Sequence, residues 1–183
     1  MSGPGARVGR PRFSGITTFT DEDGRYEFRH PSGWVRSDLD LDLDGVIVRP
    51  EVDDESTYFA VAVTDLGVAV LAEDLETLRA GFDDGVAQLP DVVVEASSDT
   101  TYNNIVRLER TFTFSEDGAT RKRRVWALCA DRWQFVVAFQ GSTVEEFAYW
   151  LPMGNYCFTA FQLPHALWFA TDPAVSTGPD AQG

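Results

Sequence analysis

The sequence predicts an α+β domain, in which helices cover both faces of a mainly antiparallel β-sheet to give an α-β-α sandwich. Runs of β-branched and aromatic residues that alternate with polar residues recur along the chain, as expected of strands. Short turns join neighbouring runs, which favours antiparallel hairpins. Two stretches with helical spacing, one in the middle of the chain and one near its end, supply a cover for each face of the sheet.

Three strands are predicted before the first helix. Residues 26–28 form a short strand that stops at Pro31, and residues 46–48 form a second that ends at Pro50. Residues 58–64 contain enough aromatic and β-branched side chains for a central strand.

One amphipathic helix is predicted over residues 75–89. Its apolar positions are three or four residues apart, which is the period of one helix face, and Pro90 ends it. Gly81 and Gly85 are expected to let the helix lie close to the sheet, because glycine has no side chain. The apolar face comprises Leu75, Leu78, Phe82, Val86 and Leu89.

Four further strands are predicted after this helix, over residues 92–94, 106–114, 125–130 and 133–139. The second of them alternates apolar and polar residues except at Arg110, which falls on the apolar register. The last two are apolar on both faces, which indicates central strands covered above and below. Short turns between these runs predict hairpins and therefore antiparallel pairing.

A closing helix is predicted to begin at Ser142, whose hydroxyl group forms a capping box with Glu145. Pro152 and Gly154 are expected to kink or split this helix, because proline lacks the backbone donor and clashes with the preceding turn. Residues 165–170, beyond the helix, are expected to form a strand or a turn.

Four local phrases, taken in order, resemble those of a known family. They are a strand at 23–34 that ends in Pro-Ser-Gly-Trp, a helix start at 74–78, a hairpin end at 131–135 and a closing helix at 142–161. Their combination is similar to that of the Mog1/PsbP-like family, including its bacterial PsbP-related and DUF1795-type members. The resemblance implies a binding module, because relatives act as accessory subunits, adaptors and chaperones. It carries no catalytic residue over to this chain.

Length and charge predict one domain with two tails. The chain has 183 residues and a formal net charge of −14. Residues 1–14 and 171–183 lack the apolar content that offsets ordering, so we expect a flexible basic arm, a single domain over 15–170 and a flexible tail. The negative field argues against nucleic-acid binding and suits a basic partner. No run of about 18 apolar residues is present, so we expect no membrane span and a cytoplasmic location.

Side chains that could carry out chemistry are few. Cys129 and Cys157 lie in apolar surroundings and are predicted to be buried, free thiols. His30 and His165 each neighbour a proline and are predicted to be solvated loop residues. We therefore expect a non-enzymatic protein with no catalytic site, no metal and no cofactor.

One acidic stretch, residues 40–51, matches the spacing of an EF-hand calcium loop, with Gly45 at the sharp turn. Pro50 and the apolar residues inside the stretch favour the alternative, an acidic connection that leads into a strand. Calcium-responsive binding through this loop is the third candidate function. Its ligands would be Asp40, Asp42, Asp44 and Glu51.

The leading functional hypothesis is an adaptor or chaperone that binds a protein partner through a sheet edge or a C-terminal aromatic surface. The aromatic residues near the C-terminus cover more than one helix face, so part of this set is expected to stay exposed as interface anchors. In the competing interpretation, this segment packs back on the domain. The candidate anchors are Trp150, Tyr156, Leu167, Trp168 and Phe169.

Two other features carry alternatives. A carrier of a small hydrophobic ligand would hold it in a pocket between sheet and helix, lined by Phe82, Trp133 and Phe147. The basic run at 121–124 is predicted to be a solvated strand start neutralised by acidic residues across its hairpin. The alternative for this run is a docking site for a carboxylate-rich or phosphate-bearing partner.

Overall fold

The computed structural model describes residues 7, 9–12, 14–39 and 42–169 of the chain. The tail expected at 171–183 lies outside the described residues, as do residues 1–6, 8 and 13 of the expected arm. Strands in the described part are β1 (Ile16–Thr20), β2 (Glu27–Pro31), β3 (Val35–Asp38), β4 (Asp44–Arg49), β5 (Tyr58–Asp65), β6 (Val93–Tyr102), β7 (Ile105–Glu116), β8 (Ala119–Ala130) and β9 (Trp133–Gly141). Helices there are α1 (Leu75–Ala87), α2 (Val144–Thr159) and α3 (His165–Phe169).

Seven of these strands form one antiparallel sheet in the order β3-β4-β5-β9-β8-β7-β6, and β1 and β2 form a separate hairpin. The centre of the sheet is β9, which pairs with β5 on one side and β8 on the other. Helix α1 packs on one face and α2 on the other. The predicted α+β class, and the central position of the last two strands, are confirmed.

The strands that the sequence does not predict are short or exposed. Strands β1 and β3 have only four or five residues with mostly exposed side chains, so their apolar pattern is weak. Strand β6 is predicted only at its apolar start, yet it continues for ten residues. Its side chains are exposed throughout except at the half-buried Asp99, because β6 is an edge strand of the sheet.

The face of the sheet under α2 holds the larger core, which is rich in aromatic rings. Gly154 of α2 lies against Phe139 of β9, and a Cβ atom there would come within 2.7 Å of the ring. The predicted split of this helix is wrong, since α2 runs unbroken through Pro152. Its N-cap is Thr143, whose hydroxyl oxygen accepts a 3.1 Å hydrogen bond from the Glu146 amide.

The predicted cap residue, Ser142, has a different role. Its hydroxyl group donates to Asp54 Oδ2 at 2.7 Å and so connects the start of α2 to the loop before β5. The prediction is displaced by one residue because Ser142 and Thr143 are both followed, three residues later, by a glutamate.

The face under α1 is thinner and contains a buried charge. Arg110, only 3% exposed, interrupts the apolar register of β7 because it pairs with Asp83 of α1 at 2.7 Å and Asp99 of β6 at 2.6 Å. The expected role of Gly81 and Gly85 is wrong, since a Cβ atom at either would meet open space. No helix among the described residues has the length and apolar character to cross a membrane.

Candidate functional site: an aromatic groove beside the β6 edge

A groove of about 780 Å³ opens at the C-terminal end of α2. We call it the aromatic groove. Its floor is the sheet, with Ile105 of β7 and Leu128 of β8. Its aromatic lining comes from β6, β8, the C-terminal end of α2 and the chain that follows, and comprises Tyr102, Trp126, Phe158, Phe161, Trp168 and Phe169.

The short helix α3 forms one wall of the groove. The chain leaves α2 after Thr159, and Pro164 accepts a 2.9 Å hydrogen bond from the Leu167 amide as α3 begins. The Trp168 ring then meets the Tyr102 ring edge-on, with 5.8 Å between centroids. The expected strand or turn at 165–170 is therefore wrong for residues 165–169, which are helical.

One cation stands inside this apolar lining. The Arg107 guanidinium lies over the Trp126 ring, 4.9 Å from its centroid, as a cation–π contact. Among the described residues, no carboxylate forms an ion pair with Arg107, whereas each residue of the 121–124 run bonds to a side chain or a backbone carbonyl. The groove therefore combines aromatic surface with a positive charge that can receive an anion.

The groove is continuous with a free sheet edge. Strand β6 ends the strand order and, within the part of the chain that the structure describes, pairs only with β7, so its outer edge presents backbone groups that no described strand pairs. Thr100 and Tyr102 near the end of β6 also line the groove. An extended chain that paired with β6 would therefore bring its side chains to the mouth of the groove.

Solved structures share this architecture. PsbP (CyanoP) from Synechocystis sp. PCC 6803 matches with a TM-score of 0.58 at 11% identity, over 88% of this chain and 100% of that protein. LpqN from Mycobacterium tuberculosis, described as involved in cell envelope biogenesis, matches with a TM-score of 0.56 at 11% identity, over 82% of this chain and 91% of LpqN. The chain has the Mog1/PsbP-like fold.

A third match to this Mog1/PsbP-like fold is PA94 from Pseudomonas aeruginosa, a protein of unknown function. Its TM-score is 0.51 at 9% identity, over 83% of this chain and 99% of PA94. No family model and no curated protein matches the sequence. Identities this low establish the fold and leave the function to be argued from the site.

The five residues singled out from the sequence divide between core and groove in this fold. Trp150 is only 9% exposed and packs edge-on against Trp34 at 6.0 Å, so its expected exposure is wrong. Leu167 packs against the core under α2, and Tyr156 is half-buried. Trp168, 38% exposed, and the half-buried Phe169 line the groove.

Three residues that line the groove are not identified by the sequence analysis, namely Tyr102, Arg107 and Trp126. Tyr102 ends an edge strand that has no apolar alternation to reveal it. Arg107 and Trp126 lie on neighbouring strands, β7 and β8, and their contact depends on the register of that pair. Only the pairing of the strands brings these residues to the end of α2.

The predicted lining of the carrier pocket is wrong, because its three residues lie at separate places in the fold. Phe82 faces a groove of about 460 Å³ under α1, while Phe147 packs on Phe139 on the opposite face of the sheet. Trp133 lies under the guanidinium groups of Arg25 and Arg132 at the start of β9. A ligand carried by this fold would have to use other residues.

The acidic stretch does not form a calcium loop. Asp44 begins β4 and pairs with Arg25 at 2.6 Å, while Glu51 lies beyond the other end of β4 and pairs with Arg7. A strand rises about 3.3 Å per residue, so the two carboxylates lie far outside the reach of one ion. Asp40 lies outside the described residues, and the described ones contain no cluster of metal ligands.

The thiols and one histidine are buried in the core. Cys129 and Cys157 are free, as predicted, and burial raises the pKa of the Cys129 thiol to about 11 and that of Cys157 further still. His30 is wrongly predicted as a loop residue, since it is buried in β2. Burial lowers its pKa, against the opposing effect of its hydrogen bond with the Pro31 carbonyl. His165 is exposed, at the start of α3.

Proposed function

We propose that this chain is a non-enzymatic binding module that receives an extended segment of a partner protein along the edge of β6. An apolar side chain of the segment enters the aromatic groove, and a neighbouring carboxylate pairs with Arg107. The observation that carries the proposal is the continuity of a free ten-residue edge strand with an aromatic groove lined by its own last residues.

The edge supplies backbone hydrogen bonds. Natural proteins usually shorten, charge or cover an edge strand, because unpaired backbone groups invite another chain. Strand β6 is long for an edge, and Val93, Val94 and Tyr102 along it are exposed. Addition of a strand to such an edge is a common mode of peptide recognition, in which backbone bonds give affinity and side-chain pockets give specificity.

The groove supplies the side-chain contacts. Tryptophan and tyrosine are the residues on which binding energy concentrates, especially where contacts around them exclude water. Trp168 and Tyr102 already hold each other edge-on, so little rotamer freedom remains to be lost when a partner packs on them. Arg107 favours an acidic neighbour, because the attraction between opposite charges is stronger in an apolar lining than in water.

Two observations support a role without catalysis. Raised thiol pKa values leave both cysteines protonated and inert at neutral pH. The buried His30 is held by a backbone carbonyl on a strand of the β1–β2 hairpin, away from the aromatic groove lining. The same free thiols, on opposite faces of the sheet, support the proposal of a reducing, cytoplasmic location, which fractionation of the native host would test.

Selection of displayed random linear peptides against the full chain tests the proposal. We expect enriched peptides with an apolar residue next to an acidic one, and affinity lowered about tenfold or more by Trp168→Ala. Val52→Ala, a change to another exposed apolar residue outside the groove, should have no effect. Alternating backbone N-methylation of the peptide should also abolish binding, because it removes the donors that pair with β6.

Peptides that bind equally well to wild type and Trp168→Ala would contradict binding in the aromatic groove. Binding that survives N-methylation would contradict strand addition.

A second candidate, a carrier of a small apolar carboxylate, is favoured by the volume of the groove, which is in the range of small-molecule sites. Native mass spectrometry of protein purified from its host would show such a ligand as a fixed added mass, lost in Arg107→Gln.

A further inference from the structure

The opposite end of α2 carries a second site, built from two carboxylates and two aromatic rings. We call it the arginine pocket and define it by Glu51, Glu146, Tyr149 and Trp150. In the structure it holds the chain's own Arg7. The Arg7 Nε donates to Glu146 Oε1 at 2.7 Å, and its two terminal nitrogens donate to the two oxygens of Glu51.

The rings complete the recognition of the guanidinium group. Its central carbon lies 4.9 Å from the Tyr149 ring centroid and 5.6 Å from that of Trp150. Two-oxygen binding by one carboxylate, a bond to a second carboxylate and stacking on aromatic faces are the features that distinguish an arginine from a lysine. The pocket is therefore selective for the planar cation.

The walls of the pocket are set by the folded domain. Glu146 is the third residue of α2, and its amide is fixed by the Thr143 cap at 3.1 Å. Trp150 is held by its edge-on contact with Trp34, and Glu51 follows β4. None of these constraints depends on Arg7, so the pocket would keep its shape if Arg7 left it.

The pocket also has unused hydrogen-bonding capacity. Glu146 is only 8% exposed, and its buried Oε2 atom has no hydrogen-bond partner among the described residues. The indole Nε1 of Trp150 is likewise buried without an acceptor. Unsatisfied buried polar atoms are unusual in folded proteins, and each calls for an explanation. A partner segment that presents its arginine together with a further donor would satisfy the free carboxylate oxygen.

We propose that this pocket is a receptor for an arginine side chain of a basic partner segment, and that Arg7 occupies it as an intramolecular competitor. The net charge of −14 favours the approach of such a segment. A partner that makes additional contacts displaces Arg7, because linked contacts add affinity that the single Arg7 side chain lacks. The site lies at the other end of α2 from the aromatic groove and stands independently of it.

Titration of the full chain with two capped tripeptides, acetyl-Gly-Arg-Gly-amide and acetyl-Gly-Lys-Gly-amide, tests the proposal. The readout is the NMR signal of the Trp150 indole, assigned by comparison with Trp150→Phe. We expect Arg7→Ala to bind the arginine peptide about tenfold or more tighter than wild type does, since the competitor is gone. The matched control is Arg10→Ala, which removes an exposed arginine of the same segment that makes none of these contacts.

Two further variants keep the test decisive. Glu51→Gln in the Arg7→Ala background keeps the shape of a half-exposed residue and should abolish the preference for arginine over lysine. Glu146→Gln should lower affinity for the arginine peptide again. Equal binding of both peptides would show a general acidic surface and overturn the proposal. So would an Arg7→Ala protein that binds no more tightly than wild type, or binding that is insensitive to both glutamate changes.

Discussion

Both ends of helix α2 have aromatic rings in contact with an arginine, but the charges around the rings differ. At the N-terminal end, the rings of Tyr149 and Trp150 are covered by the chain's own Arg7 between two carboxylates. At the C-terminal end, the Trp168 ring is left 38% exposed around a cation, Arg107, that pairs with no carboxylate of the described residues. One end is an anionic site that the chain fills, and the other is a cationic groove that the described residues leave open.

This difference shows that aromatic content alone does not locate a binding surface. Trp150 and Trp168 both belong to an aromatic C-terminal region, yet Trp34 and Arg7 cover the first, while among the described residues the ring contact of the second is with Tyr102. What separates core from site is what the rest of the fold places over each ring. The changes below test that separation at each end of the helix.

The largest expected difference is between the two tryptophans. Trp150→Ala should lower the free energy of unfolding by about 3–5 kcal/mol, because it removes a large buried ring and leaves a cavity. Trp168→Ala should lower it by about 1 kcal/mol or less, since much of that ring already faces solvent. Urea denaturation measures the free energy of unfolding of both variants. Equal decreases would show that Trp168 belongs to the core.

A smaller effect is expected at Gly154, where α2 lies close to the sheet between its two ends. Gly154→Ala places a Cβ atom 2.7 Å from the Phe139 ring, so overpacking should lower stability by about 1–3 kcal/mol and disturb the sites at both ends. Gly81→Ala in α1 is the matched control. Its Cβ atom meets open space, so it should raise stability by up to about 1 kcal/mol through helix propensity. Thermal melts with circular dichroism compare the two, and a stabilising Gly154→Ala would contradict the close contact.

The smallest effect is expected in the arginine pocket when the pH is lowered. The hydrogen bonds from Arg7 hold the pKa of Glu51 below its usual value of 4.5. A lowered folded-state pKa contributes stability above the unfolded value, and this contribution is lost as the pH falls through the folded value. Loss of the Arg7–Glu51 contact should therefore cost less than about 1 kcal/mol above about pH 5, as for other part-exposed pairs.

That cost should shrink as the pH falls below about 4.5. Urea denaturation of wild type and Arg7→Ala at a series of pH values measures it, with Arg10→Ala as the control. A cost that stays constant down to about pH 3 would show that the Glu51 contact contributes nothing to stability.

The parts of the fold with strong apolar periodicity could be predicted from the sequence. Local residue spacing is enough to predict the apolar face of α1 and the two-sided apolar runs of β8 and β9. These elements together predict the antiparallel sandwich. Arg110 marks the limit of this approach, since its place on the apolar register makes sense only once Asp83 and Asp99 lie beside it. The polar length of β6 also left no periodic signal.

The groove could be predicted only in part, for the same reason. Trp168 and Phe169 can be singled out from the sequence because the aromatic residues near the C-terminus cover more than one helix face. Tyr102, Arg107 and Trp126 come from three strands whose register is a property of the folded sheet. The arginine pocket has no local sequence signal, because its two carboxylates are 44 and 139 residues from Arg7 in sequence.

Hydrogen exchange along β6 tests the central claim most directly. The backbone amides of Val93–Tyr102 would be followed by NMR in the full chain, with and without a peptide selected for binding. Strand addition protects the outward-facing amides of β6, and the Trp168 indole signal should shift at the same peptide concentration. A shift of Trp168 without protection along β6 would show that the groove binds a side chain or small ligand alone, and would contradict strand addition.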